Sequence, residues 1–300
     1  MDSNLIDRTA RGALCLVLAG LLAGCGSGDA QEGGEGDSAN GVFPGADAVP
    51  ASVKGTREAE GIDCGGLPKA DPAQRNDILG ITPGMPAETA YRMAACANPN
   101  FQVKYSESGF SVAPLPEGRR PRGSIEIEGG LDDATIYLMG MPGEEKVVAV
   151  TRVTEFADGR EPTIEQLAGQ VSAKYGALIP NRYSPERATS LYATSGEKLG
   201  ADNQDLDRCA NAVGFTDNRV GSVYGDCGLT VNYRVAAKSS NPQLARRFSL
   251  AVVDQKFAMG LIEATQSTIR DAHAAARQAE IDRANADAQK AGSENRVPQL

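Results

Sequence analysis

Ser124-Ile125-Glu126-Ile127-Glu128 alternates apolar and acidic side chains along the chain. Successive side chains of a strand point to opposite faces. This run therefore buries its isoleucines on one face and solvates its glutamates on the other, as in an antiparallel sheet covered on one side. Downstream, residues 134–139 and 146–156 read as the next two strands, with Met141-Pro142-Gly143 in the turn between them. Upstream, 101–105 alternates Phe101, Val103 and Tyr105 with Gln102 and Lys104, and 106–123, rich in Pro, Gly and Arg, reads as a long loop. A helix is expected at 86–97. Pro86 suits its first turn, Glu88 its positive end, and Ala90, Met93, Ala94 and Ala97 form one apolar face.

The same order recurs further on. Thr163-Ile164-Glu165-Gln166 fits a capping box, and Ile164, Leu167, Val171 and Tyr175 form a helical stripe closed by Gly176. Residues 178–208 are polar and carry few periodic cues. Strands follow at 228–235, with Val231, Tyr233 and Val235 on one face, and at 247–253, with Phe248, Leu250 and Val252 on one face. From Lys256 the chain is helix-prone and Ala-rich; beyond Arg270 its apolar positions are nearly all Ala, too thin a stripe for strong burial. The expected fold class is α+β: two helix-plus-antiparallel-sheet units in tandem, at 61–157 and 158–270, then an Ala-rich helical or disordered tail at 271–300.

The N-terminus reads as an address. Arg8 and Arg11 precede the uncharged run ALCLVLAGLLA at 13–23. A spanning helix needs about 20 apolar residues, so this run has the size of a signal-peptide core instead. Leu22-Ala23-Gly24-Cys25 then resembles the lipobox of bacterial lipoproteins. The resemblance implies that 1–24 is removed and that Cys25 becomes the lipid-bearing first residue, with diacylglycerol and an N-acyl chain such as palmitate. Several chains, at about 0.8 kcal/mol per buried methylene, anchor stably. Gly26, rather than Asp, follows the cysteine, which favours the outer over the inner membrane, facing the periplasm. Residues 25–60 read as a flexible acidic tether, with too little apolar surface to offset ordering. About 35 Gly-rich residues span roughly 30 Å.

The formal charge of the chain is −9, and the stretch 26–60, with seven acids and two bases, carries −5 of it. The acidic balance therefore belongs mostly to the tether, and it argues against nucleic-acid binding, which needs a basic footprint. One histidine, His273, excludes a His-rich metal site and most triads. His273 falls on the Ala-rich helix, expected to be exposed and without a role. After removal of Cys15 with the signal and lipidation of Cys25, four cysteines remain: Cys64, Cys96, Cys209 and Cys227. An even number in an exported chain reads as two disulfides; of three pairings, sequence proximity favours Cys64–Cys96 and Cys209–Cys227.

Little points to catalysis. Ser195-Gly196-Glu197-Lys198 matches S-x-x-K and Thr216-Asp217-Asn218 loosely matches a second motif of penicillin-recognising enzymes, but K-T-G is missing and Gly196 opposes the helix the first motif needs. Asp132-Asp133 and Glu144-Glu145 are neighbours at strand ends and point to opposite faces, so they read as turn solvation rather than acid–base pairs. No catalytic residue, metal ligand or cofactor is expected. Arg119-Arg120-Pro121-Arg122 is the one cationic cluster, and Arg119, Arg120 and Arg122 are the candidate contacts to a partner: an envelope protein or peptidoglycan.

Ile81-Thr82-Pro83-Gly84-Met85-Pro86-Ala87-Glu88 resembles the lead-in to the first helix of small periplasmic lipoproteins of the BamE/SmpA kind, with Lys174-Tyr175-Gly176 as an echo in the second unit. Those proteins assist outer-membrane assembly with a helical pair on a small antiparallel sheet. Tandem helix-plus-sheet units with a disulfide in each are also similar in plan to secreted β-lactamase inhibitor proteins. Together these resemblances imply a lipid-anchored envelope protein acting as a non-enzymatic binding module; a periplasmic enzyme or a wall-associated structural lipoprotein are the alternatives.

Overall fold

Fifteen elements follow one another in the computed structural model, which describes residues 54–294 apart from 70, 72–73, 182–183, 202–205, 212 and 215–218. Cys25, the signal segment and most of the tether lie outside the described residues, as does Thr216-Asp217-Asn218.

The chain is already part of the body at Lys54, not at Gly61. Helix α1 (Thr56–Glu60) starts with a buried threonine, whose Oγ1 accepts from the Val103 N–H at 2.7 Å, while its own N–H donates to the Phe101 carbonyl at 2.9 Å. Gly55 makes this approach feasible: a Cβ there would stand 2.0 Å from the Pro99 carbonyl oxygen. The last residues assigned to the tether are therefore stitched to the sheet. The apolar signal is weak because the attachment runs through a hydroxyl and the backbone.

Helix α2 (Ala87–Ala97) has Pro86 as its N-cap residue and buries Ala90, Met93 and Ala94, with Tyr91 and Ala95 besides. Strands β1 (Gln102–Ser106), β2 (Ser124–Glu128), β3 (Asp132–Met139) and β4 (Lys146–Glu155) follow as an antiparallel meander. Helix α3 (Ile164–Tyr175) has the full capping box: the Thr163 hydroxyl accepts from the Gln166 N–H at 3.1 Å, and the Gln166 side chain accepts from the Thr163 N–H at 2.9 Å. The polar stretch beyond it holds β5 (Ile179–Asn181), β6 (Ser184–Leu191) and the short helix α4 (Leu206–Asn211), none of which was expected. The two-residue strands β7 (Val213–Gly214) and β8 (Arg219–Val220) pair only with each other. Strands β9 (Leu229–Lys238) and β10 (Asn241–Asp254) are longer than predicted, and helix α5 (Gln255–Glu294) runs through the expected tail for 40 residues.

The fold is mixed α+β, with one eight-stranded antiparallel sheet of order β1-β2-β3-β4-β10-β9-β6-β5. The two expected units do not stand as separate sheets. Each half of the chain supplies four strands of this sheet after a covering helix, α2 or α3, but β4 and β10 pair along seven registered positions, from Arg247↔Glu155 to Val253↔Ala149. The reason lies in their composition. Residues 147–154 of β4 and 250–253 of β10 are buried throughout. A strand buried on both faces needs cover on each, and its backbone needs neighbours on both sides, so it cannot form the edge of a separate unit.

Helices α2 and α3 cover one face. There Ile125, Ile136, Val150, Phe248, Val252 and Val231 belong to one core cluster that crosses the seam between the halves. The first turns of α5 cover part of the other face, over Tyr137, Met139, Ala149, Ala251 and Val253. A buried glutamine pins that helix start: Gln255 Nε2 donates to the Cys209 carbonyl and to Thr230 Oγ1, both at 2.8 Å, and its Oε1 accepts from the Tyr224 N–H at 3.1 Å. Every polar atom of this fully buried side chain is thereby partnered.

Candidate functional site

The connection between β1 and β2, residues 107–123, has no regular structure yet is held at many points. Its two limbs touch through glycine: a Cβ on Gly109 would lie 2.4 Å from the Gly123 carbonyl oxygen, and one on Gly123 would lie 2.5 Å from the Glu107 carbonyl oxygen. The Gly123 N–H donates to the Ser106 carbonyl, and the Gly123 carbonyl accepts from the Leu138 N–H, both at 2.9 Å. At its tip Leu115 is buried and closes a turn with Gly118 and Arg119. Phe110 meets the edge of Tyr137 at 6.2 Å between ring centres. The segment is thus a strap laid across the end of β3 and against α5.

His273 provides the contact with α5. Its Nε2 lies 2.8 Å from the Pro114 carbonyl oxygen and the residue is half-buried. The expectation of an exposed residue without a role is corrected. The signal was in the spacing: Thr265 and Ile269 are buried on α5, and His273 continues that row one turn on.

The three candidate arginines separate. Arg122 is structural. Its guanidinium donates to Glu145 Oε2 at 2.7 Å, its backbone N–H donates to Glu145 Oε1 at 3.0 Å, and its guanidinium carbon sits 4.2 Å over the Tyr105 ring. Burial pushes the Glu145 carboxyl up, but the hydrogen bonds from Arg122 outweigh it and hold that carboxyl below its usual range. Arg119 is exposed and paired with Glu117 at 2.7 Å. Arg120 is exposed and lines a cleft of about 280 Å³ between the two limbs of the strap, with Phe110, Pro121 and Met139.

A second cleft of about 520 Å³ opens on the other side of the strap, between residues 111–113 and one stripe of α5. Ile269 and Val112 line it, with His273; Arg270 and Arg277 are exposed at its margin. No carboxylate lines it, and neither arginine has an ion-pair partner among the described residues. Sequence reasoning missed this site because its two walls lie more than 150 positions apart in the chain.

The remaining sequence candidates have structural roles. Cys64–Cys96 and Cys209–Cys227 are disulfides, with Cα separations of 5.8 and 5.7 Å. Ser195 lies in a turn rather than on a helix, closed by the Gly196 N–H on the Ala193 carbonyl, and Lys198 donates to the Ala177 carbonyl just past the end of α3. Asp132 is buried, and two of its contacts are Arg152 nitrogens at 2.7 Å each; Glu145 is buried as described. One acid of each adjacent pair is therefore an internal ion-pair partner, a correction to their reading as turn solvation, while Asp133 and Glu144 face outward. Asp77, also buried, accepts from Lys174 at 3.0 Å and from the Gly80 N–H at 3.1 Å, tying the segment before α2 to the end of α3. Among the described residues no group of His, Cys, Asp and Glu could hold a metal ion, and no helix is long and apolar enough to cross a membrane.

Compared with protein-family models, with curated proteins and with solved structures, the chain matches none.

Proposed function

We propose that the chain is a lipid-anchored envelope protein, held at Cys25 on the periplasmic face of the outer membrane, and that its folded body is a non-enzymatic binding module. The observation that carries this reading is the strap at 107–123: it presents Arg120 in one flanking cleft while Arg270 and Arg277 stand over the other. Charges without partners beside part-apolar hollows are what a binding surface needs, because an incoming group desolvates them and supplies the missing counter-charge. The two disulfides fit an oxidising compartment. A covering helix followed by four strands of the sheet occurs on either side of the β4–β10 seam, with α4, β7 and β8 inserted in the second half, and we read this as two units of one plan, fused into a single sheet.

Two experiments test the reading. Cells fed an alkyne palmitate analogue should label the wild-type chain and not Cys25→Ala; equal labelling removes the anchor. A photo-crosslinking residue at Arg120 should give a discrete envelope adduct that the same residue at Glu280, on the exposed part of α5, does not give. Identical patterns at both positions remove the strap as the binding surface.

A second reading has one observation in its favour. Residues 274–293 of α5 are exposed throughout, and Ile281, 54 % exposed, is a large apolar side chain among them. A wall-associated or self-associating role would place its contact there. Truncation after Arg270 should then abolish wall retention or oligomers, and unchanged behaviour removes it.

A further inference from the structure

The cleft between the strap and α5 has a second property besides its charge. Among the described residues no hydrogen bond reaches the backbone of Ser111, Val112 or Ala113, so three consecutive amides on one wall have neither donor nor acceptor satisfied by protein. Their exposure alternates: Phe110 and Val112 are half-buried and pack against the apolar cluster on that face of the sheet, whereas Ser111 and Ala113 are exposed. Alternation of that kind belongs to extended chain, and an extended chain with a free backbone edge pairs with another. The opposite wall supplies the rest. Gln266, Ile269, Arg270, His273 and Arg277 recur at helical spacing along one stripe of α5, about 16 Å long at 1.5 Å per residue. That is the length of about five residues of extended peptide.

From this we infer that the cleft binds an extended acidic peptide, which adds beside 111–113 through main-chain hydrogen bonds, lays apolar side chains against Val112 and Ala113, and turns carboxylates toward Arg270 and Arg277. The inference rests on the binding-module reading and names the partner's chemistry. A peptide fits better than a fatty-acid anion because only a peptide satisfies the free amides of the strap as well as the guanidinium groups. Arginine donates in a fork that matches a carboxylate, so each charged contact is directional as well as attractive. His273 holds the strap through the Pro114 carbonyl and so sets the distance between the two walls.

The probe is a fluorescein-labelled hexapeptide of alternating valine and glutamate, titrated into the full chain and followed by anisotropy. Saturable binding is expected. Arg270→Ala with Arg277→Ala should weaken it at least tenfold, as should glutamine in place of glutamate. A peptide N-methylated at alternate positions, on the edge that would face the strap, keeps its charge but loses the donors of that edge, and it too should bind at least tenfold more weakly. Both arginines are exposed and without ion-pair partners, so circular dichroism of the double variant should match the wild type. No binding to the wild type, or equal binding by the double variant or by the N-methylated peptide, overturns the inference. Arginine-dependent binding of palmitate with no binding of the hexapeptide overturns it too, in favour of a lipid anion. A chain that gives the Arg120 adduct in the envelope but does not bind the hexapeptide loses this inference and keeps the module reading; a chain that does neither loses both.

Discussion

Glu145 shows how a single side chain organises the region around the strap. Its carboxylate takes the Arg122 guanidinium, the Arg122 N–H and the Gly143 N–H, so it holds the strap's last limb and the β3–β4 turn together. Its titration sits below that of an unfolded carboxylate, so it stabilises the fold above the unfolded value, and that stabilisation is lost as pH falls through the folded value. Thermal melts of the wild type and Glu145→Gln should therefore differ most near neutrality and converge on acidification below about pH 4. A gap that does not depend on pH would show that the charge does not matter. Gln255 works in a different way, through neutral hydrogen bonds in a dry site. Gln255→Leu leaves the Cys209 carbonyl, Thr230 Oγ1 and the Tyr224 N–H without that partner, and should lower stability in urea by about 3 kcal/mol. A change below about 0.5 kcal/mol would mean that water replaces the side chain.

Among the elements, β6 explains why the stretch 178–208 looks featureless. Its inward positions include Ser190, whose hydroxyl donates to the Tyr175 carbonyl at 2.9 Å, and Thr189 on the other face donates to Asn232 Oδ1 at 2.8 Å. Buried hydroxyls satisfied by distant partners erase the apolar alternation by which a strand is recognised. By contrast β2 and α3 are visible in sequence, because isoleucine alternation and a capping box are local. The element most dependent on a covalent tie is α4, a six-residue helix joined by Cys209 to Cys227 across 18 positions. Replacing both cysteines by serine should cost about 3 kcal/mol by the chain-entropy account. Hydrogen exchange should then rise first in 206–211, before the sheet responds; unchanged protection there would show that Leu191 and Gln255 hold the helix without the bridge.

On the scale of the whole molecule, the seam between β4 and β10 decides how the protein unfolds. Val150 and Val252 face each other across it and belong to the same buried cluster as Ile125 at one side and Val231 at the other. A shared core of that extent couples the halves, so chemical denaturation should give one transition, with coincident midpoints for probes placed in β2 and in β9. Residues 54–157 expressed alone would leave β4, buried from 147 to 154, as an open edge, and should aggregate or remain unfolded. Two separated transitions, or a soluble folded fragment, would restore independent units.

What the residues determined on their own is whatever short-range physics decides. Alternation at 124–128, the stripe from Ile164 to Tyr175 and the Thr163–Gln166 box set the type and order of their elements. Proximity along the chain was enough to single out the two cysteine pairs, since closing a short loop costs little entropy. What only the tertiary structure decided involves groups far apart in sequence. It joined two sheets into one, because strands buried on both faces cannot stay at an edge. It took Arg122 out of the candidate contacts by pairing it with a buried carboxylate. It also set His273 and two arginines against an unpaired stretch of strap, so that α5, which reads in sequence as a thin alanine tail, forms one wall of the cleft.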